Sequence, residues 1–463
     1  MDLHSYLKEK ALTPYEPQEY DFMAINIKAI HVVGLWNYHW KKKNQWRYYA
    51  YCLFSSIQIS ILAVHTVTQF LDLCINSHDM ATYATTAWLT INYFAATTKQ
   101  VFFVYHRDEL QDTTLKLKGG ILSKGLRWSK EQDDIALKTH KQVRTLSLIY
   151  DWMGVICVIG IVSIAIQSSY YKLYAEFTGL QNYTGQETEF QLPLQAWLPF
   201  DIQKPGNYLI AFTFQVTTLL IGPIVNIGTD GFMAGLMIHA CGEFRILKHS
   251  LKMLKRRARQ LQTEETEIRK LSSECPSELQ PGMDIQEIDE STAKNDDSML
   301  NRTSGDLRPY LYKALVECIQ HHQEIHKFIS ELEEIFCSLM FIQFLSISVR
   351  LCLNVISMTL SGSKLLVQMT NVPLISVTFM QGLLYCWFGS ELTYQSESVA
   401  RVIYETPFLE ASYRFKRNII IMMMRAQKRT QMTGGKIYVL SLDTFQALVY
   451  ASFSFFRLLQ EFA

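Results

Sequence analysis

The chain lacks the marks of most enzyme and cofactor classes. Across 463 residues there is no CxxC pair, no HExxH, no glycine-rich phosphate loop, no GxSxG elbow and no pair of carboxylates on a common face. Each absence removes a chemistry: redox dithiols and zinc ribbons, zinc proteases, nucleotide cradles, serine hydrolases and glycosidases. The expectation is a protein that is not an enzyme, with no cofactor, no metal and no nucleic-acid partner. Nine cysteines are scattered (Cys52, Cys74, Cys157, Cys241, Cys275, Cys318, Cys337, Cys352 and Cys386), which suits small packing residues better than a disulfide framework. The first twenty residues are polar and carry Pro14 and Pro17, so no cleavable signal is visible, and neither end carries a lipidation motif. The first hydrophobic span is then expected to act as its own insertion signal.

What the chain has is apolar surface in long runs. Hydrophobic residues make up 49% and aromatics 13%, and the 19% of charged residues falls mainly in the stretches between the runs. A helix needs roughly 20 apolar residues to cross the hydrocarbon core. Seven segments qualify: 48–71, 80–98 with Lys99 at its end, 152–171, 206–229 running past Asp230 to Gly242, 335–363 interrupted by Arg350, 369–390, and 437–456 interrupted by Asp443. Lys and Arg alternate by loop. Lys41, Lys42, Lys43 and Arg47 precede the first span, and the loop 72–79 has none. The segment 107–144 holds nine, 172–205 only Lys172 and Lys204, 245–327 many, and 401–436 eight. Positive loops face the cytoplasm, so the N-terminus is expected inside and the C-terminus outside. G-protein-coupled receptors run the other way. Only Arg457–Ala463 follow the last run, so no cytoplasmic domain is expected to hang from it.

The expected organisation is a cytoplasmic N-terminus with a short interfacial helix (1–47, the helix within Phe22–Trp36), four spans (48–240), cytoplasmic helices with a polar insert (241–334), two spans (335–390), a cytoplasmic helix (391–436) and the closing span (437–463). Within the insert, Leu261–Pro309 has no aromatic residue and reads as disordered or weakly helical. Phe244–Leu261, Tyr310–Glu334, Lys130–Val143 and Ala411–Gln427 read as helices that extend the spans into a bundle beside the membrane. Asn182-Tyr183-Thr184 is a glycosylation sequon in a loop expected outside. His321, His322 and His326 look metal-like, but glutamine follows His322 and no third ligand is apparent, so packing histidines are the preferred reading.

Arg350 sits mid-span, where a charge costs on the order of 3 kcal/mol, so it should face protein or water. Two readings stay open: a charge lining a vestibule or subunit contact, or a partner of Asp151 or Asp230. Some apolar segments carry polar residues at helical spacing from aromatic or small ones: Trp88 with Asn92, Ser163 with Gln167, Phe212 with Gln215. With Phe379 and Leu383 they form the candidate lining of a pocket for a small, mostly apolar molecule.

Certain runs carry a resemblance. Tyr385-Cys386-Trp387-Phe388-Gly389-Ser390-Glu391-Leu392-Thr393, Tyr404-Glu405-Thr406-Pro407-Phe408, Met424-Arg425-Ala426-Gln427, Gly435-Lys436, Leu440-Ser441-Leu442-Asp443-Thr444-Phe445 and Ser452-Phe453-Ser454-Phe455-Phe456 resemble the C-terminal third of the insect odorant receptor family. Gly34-Leu35-Trp36, Asp230 with His239 and Phe244, and His322 with Phe328 and Leu332 agree with it. Phe408 stands where the family often has tryptophan, and both the long insert and Arg350 depart from its pattern. The resemblance implies an all-α subunit of a tetrameric, odorant-gated, non-selective cation channel in the plasma membrane of an olfactory neuron. It implies a shared co-receptor subunit, a pore lined by the seventh span, and an odorant pocket among the second, third, fourth and sixth spans. Leu458 or Leu459 is then the candidate dewetting ring, with Gln460 at the mouth. A gustatory receptor is the nearest alternative, but its closing motif is not matched. A secondary transporter would show internal repeats, and none is seen.

Overall fold

The computed structural model describes residues 23–37, 45–76, 80–119, 127–178, 192–274, 306–360, 365–406 and 411–462. The sites expected at Asn182 and most of the insert, from 275 to 305, lie outside these residues. Seven long helices carry the seven expected spans. In order they are Gln45–Ile75, Met80–Tyr105, Lys130–Thr178, Pro205–Lys252, Arg308–Leu360, Leu365–Glu405 and Leu442–Phe462. The shortest, the seventh with 21 residues, is still ~30 Å long at about 1.5 Å per residue, enough to cross a bilayer. Three of them, the first, fourth and fifth, are apolar enough for a membrane on hydropathy alone among the described residues. The architecture is an all-α polytopic membrane fold, with a hairpin of two two-residue strands as its exception.

The first span shows why the helices belong in lipid. It exposes Leu53, Ile57, Val64, Val67 and Phe70 and buries Ser55, His65, Thr68, Gln69 and Asp72. That arrangement is inside-out for a protein in water, where apolar residues go inward. In hydrocarbon the polar groups must instead find one another within the bundle.

Several elements run past their expected ends. The second span does not stop at Lys99 but continues to Tyr105, because Val101-Phe102-Phe103-Val104 extends its apolar face and Lys99 turns inward. Helices also fill the stretches 107–119 and 254–274. The second of these holds the end of the helix expected over Phe244–Leu261 and continues to Glu274, into the stretch read as disordered or weakly helical. Leu254, Ala258 and Leu261 form a buried stripe at helical spacing, and Arg257 forks onto Glu317 of the fifth helix through Nε (3.0 Å) and Nη2 (3.2 Å). The 53-residue fifth helix joins the expected cytoplasmic helix and span into one rod. Helix Ala24–Val32 buries Ile27 and Ile30. Its Asn26 donates to Ser147 of the third helix at 2.9 Å, so it is clamped to the bundle by protein contacts.

The approach to the seventh helix is the other difference. Residues 437–441, expected inside the closing span, instead form a hairpin and a cap. Thr433–Gly434 pairs antiparallel with Tyr438–Val439, and the turn places Gly435 at φ 62° and Lys436 at φ 57°. Left-handed backbone favours glycine, which accounts for Gly435, while a Cβ at Gly434 would stand 2.4 Å from the Tyr438 ring. Ser441 then accepts from the Thr444 amide at 3.2 Å, capping the helix that starts at Leu442.

Candidate functional site

The largest concentration of buried polar chemistry sits where five spans meet. Asp230 of the fourth helix is fully buried and ion-paired with Lys99 of the second, which is also fully buried. The same carboxylate accepts from Gln381 Nε2 at 2.8 Å, from Tyr150 at 3.3 Å and from Tyr385. Gln381 hands the network on: its carbonyl oxygen accepts from Arg350 Nη2 at 2.7 Å. Arg350 Nη1 donates to Asn92 Oδ1 at 2.6 Å and Nε to the Ser346 carbonyl at 3.3 Å. Arg350 is only 3% exposed, so this arginine faces protein. Its tie to Asp230 runs through an amide. Isolated charges at this depth are costly, and a carboxylate that holds one cation, two phenols and an amide, with a second cation behind that amide, spreads the cost over five helices.

Helix register organises the rest. Thr85 Oγ1 meets Ser357 Oγ at 2.6 Å, and Asn92 meets Arg350. The second and fifth helices therefore run antiparallel with residue numbers summing to 442 at each contact. Trp88 and Asn354 fall on the rung between. Both are buried, and among the described residues neither the indole N–H of Trp88 nor either amide atom of Asn354 has a partner. Native interiors satisfy nearly all such groups, so this rung holds two donor groups and one acceptor that the described residues leave unspent.

The other candidate residues are placed variously. Phe212 is half-buried beside Tyr208, with ring centroids 5.8 Å apart. Gln215 is wholly buried, but its amide is consumed by both backbone groups of Leu194, at 3.0 and 2.9 Å, so it pins the segment before the fourth helix. Phe379 packs edge-on against Phe445 of the seventh helix at 4.9 Å, and Leu383 packs at the edge of the core. Ser163, Gln167, Leu458, Leu459 and Gln460 lie on the third and seventh helices, with their side chains outside the described ones. Lys99 and Asp230 were not singled out as a pair by sequence reasoning. The available signal was an apolar run continuing past Lys99.

The histidines lie on the fifth helix below its membrane-crossing stretch. His321 Nε2 is 3.0 Å from Glu243. The Nε2 atoms of His322 and His326 lie within hydrogen-bonding distance at 2.9 Å, and His326 Nδ1 meets Thr430 at 2.9 Å. The residues Thr430 to Thr433 lead into the hairpin, so these rings brace the approach to the seventh helix. Burial, and then the charge of Arg425, push His322 down to about 4; burial and then His322 push His326 down to about 3. Unfolded histidine takes up a proton near pH 6.5, whereas these two resist it in the fold. Their stabilising contribution is therefore complete above pH 6.5 and lost as pH falls towards 4. Thermal melts of the purified protein should fall by several degrees between pH 7.5 and 5.5, and His326→Gln should flatten that dependence. An equally steep slope in the variant would remove this pair from the account.

The comparisons with known proteins agree with this geometry. The family model described as 7tm Odorant receptor matches residues 79–453. Putative odorant receptor 85e of Drosophila melanogaster is 27% identical over 280 residues, 59% of each chain. Odorant receptor Or2 of Anopheles gambiae is 22% identical over 403 residues, 86% of this chain and 89% of its own, and the odorant receptor coreceptor of that species is 20% identical over 299 residues, covering 58% of this chain and 63% of its own. The chain thus spans about 60% of the length of several curated relatives, among them Odorant receptor 83a of Drosophila melanogaster. The structure of the olfactory receptor OR5 from Machilis hrabei in complex with eugenol matches over the full length of both chains, at TM-score 0.68 and 13% identity, a likeness of fold.

Proposed function

The chain belongs to the 7tm odorant receptor family, and from that premise we propose that it is a subunit of an odorant-gated, non-selective cation channel. It carries no enzymatic activity in this reading. It assembles as a tetramer with the odorant co-receptor in the plasma membrane of olfactory neurons, N-terminus inside and C-terminus outside. The observation that carries the reading is the Trp88–Asn354 rung. It is a buried set of free hydrogen-bonding groups, closed on one side by Thr85–Ser357 and on the other by Asn92–Arg350. A small apolar molecule bearing one carbonyl or hydroxyl group matches it. The ligand favours the open arrangement over the closed one, and so shifts the population towards opening.

The seventh helix suits a pore wall. It turns Phe445, Leu448, Val449 and Ser452 towards the subunit and leaves Leu442, Asp443, Gln446, Ala447, Tyr450, Ala451, Phe453, Ser454 and Arg457 exposed. Within that face Asp443, Gln446, Tyr450, Ser454 and Arg457 recur every three or four residues as a polar stripe, which a wholly lipid-facing surface would not carry. The test is whole-cell current in cells expressing the chain with and without a co-receptor, across an odorant panel. No ligand-evoked cation current, with surface expression confirmed, sinks the proposal. For the best oxygenated ligand so found, Trp88→Phe and Asn354→Leu should each raise the half-maximal concentration about tenfold, the loss of roughly one hydrogen bond to a buried group. A hydrocarbon agonist should be unaffected. Asp443→Lys should cut the maximal inward current severely and leave that concentration unchanged.

A further inference from the structure

A second set of free polar groups lies at the junction of the first, second and fourth helices. His65 is fully buried, and among the described residues neither ring nitrogen has a partner. One turn on, Gln69 is also fully buried, with both amide atoms free. The His65 ring meets Tyr93 edge-on at 4.6 Å and Phe214 at 5.8 Å. Phe214 is only half-buried, because its other side lines a groove of about 410 Å³ between the first and fourth helices, with Ile61, Leu209, Ile210, Thr213 and Thr217. The hydroxyls of Thr213 and Thr217 are engaged by their own helix, so the groove presents an apolar wall. Beyond Gln69, the strap before the fourth helix is fixed by the Trp197 amide donating to the Thr68 carbonyl at 3.0 Å and by Gln215 holding Leu194. The Phe214 ring therefore stands between an apolar groove on the membrane side and the buried His65 ring, with Gln69 one turn further on and four polar atoms unpaired between the two.

We propose that this junction is a second small-molecule site, entered from the bilayer past Phe214, for a neutral amphiphile with an apolar chain and one hydroxyl or carbonyl group. The groove volume lies within the range of small-molecule sites, about 300–1,000 Å³, and its apolar walls suit the chain. The head group reaches His65 and Gln69, which together offer both donors and acceptors. Asp72, the next buried residue on that face, already accepts from Asn76 at 2.7 Å and repels an anionic head. The entrance on the membrane face selects molecules that partition into lipid first. The site is separate from the Trp88–Asn354 rung and does not depend on gating, so it stands or falls apart from the channel reading.

The test uses the full-length protein in nanodiscs, labelled with a photoreactive diazirine analogue of 1-decanol and mapped by mass spectrometry. Adducts are expected on the peptides around Ile61–Gln69 and Leu209–Thr217, displaced by 1-decanol and not by n-decane. His65→Phe, which keeps the ring and removes its nitrogens, and Gln69→Leu should each reduce labelling about tenfold, and Trp88→Phe should leave it unchanged. Should His65→Phe fail to fold, Ile61→Trp, which fills the groove from its lipid side, should abolish the adducts with the polar pair intact. Labelling spread over all the lipid-facing helices, displaced equally by n-decane, or retained in Ile61→Trp overturns the proposal.

Discussion

Asp230→Ala should abolish delivery of the protein to the cell surface. Among the described residues the carboxylate is the only anion within hydrogen-bonding reach of Lys99, and through Gln381 it also balances Arg350. Removing one partner of a buried pair costs about 3–5 kcal/mol because the other charge is left uncompensated. That is a large share of a total stability of ~5–15 kcal/mol. Here two cations are stranded, and two phenols and an amide lose their acceptor. Asp230→Asn keeps the shape and some of the hydrogen bonds, so it should be impaired less. Pairing Asp230→Asn with Lys99→Met should recover more again, since a neutral pair of similar volume removes the unpaired ammonium. Surface biotinylation and elution profile in detergent measure all three. Alanine at 230 with wild-type surface levels would show that the network is incidental to folding.

How far such a network can be read from sequence depends on the distance over which its partners pair. The spans were legible because hydrophobic runs are local signals, and the rod-like extensions were legible because their apolar residues repeat every three or four positions. Arg350 was visible as an anomaly, and Asp230 was one of two acidic residues named as its possible partner. Its direct partners were not legible, because Asn92 lies 258 residues away and Lys99 lies 131 residues from Asp230, and no local pattern encodes a pairing at that range. Gln215 shows the converse. Its polarity in an apolar helix drew attention as a ligand contact, but it holds Leu194, since a side-chain amide matches the two backbone groups of a passing segment. The start of the seventh helix was misplaced for a different reason. Ile437-Tyr438-Val439-Leu440 is apolar enough to join the span, and only the Gly434-Gly435 pair before it and Ser441 after it mark a turn and a cap.

That hinge is where the second large effect is expected: Gly389→Val should leave the receptor at the surface and uncouple it from its ligand. A Cβ at residue 389 would stand 2.2 Å from the Leu440 carbonyl oxygen and 2.6 Å from its Cβ. The first of these is backbone, which has no rotamer to change, so the lead into the seventh helix must move. Residues 440–442 have little room to do so. The Leu440 amide donates to the Met432 carbonyl at 2.9 Å, the Leu442 amide to Ser390 Oγ at 2.9 Å, and Gly435 is held by the Cys337 carbonyl at 2.9 Å. Overpacking of this kind costs about 1–3 kcal/mol. It falls on a joint between the sixth helix and the seventh, away from the Asp230 cluster, so the bundle survives and the joint does not. Gln381 of the network precedes Gly382, on which the Phe445 ring lies, with Cε2 3.0 Å from where a Cβ would be. A shift at Leu440 therefore reaches both ends of the link between the buried network and the seventh helix. Ligand-evoked current should fall at least tenfold in Gly389→Val and partly in Gly389→Ala, with surface label unchanged. Gly206→Ala, where an added Cβ meets nothing within 4 Å, is the control. Equal currents in Gly389→Val and Gly206→Ala would mean that the close approach of the two helices plays no part in opening.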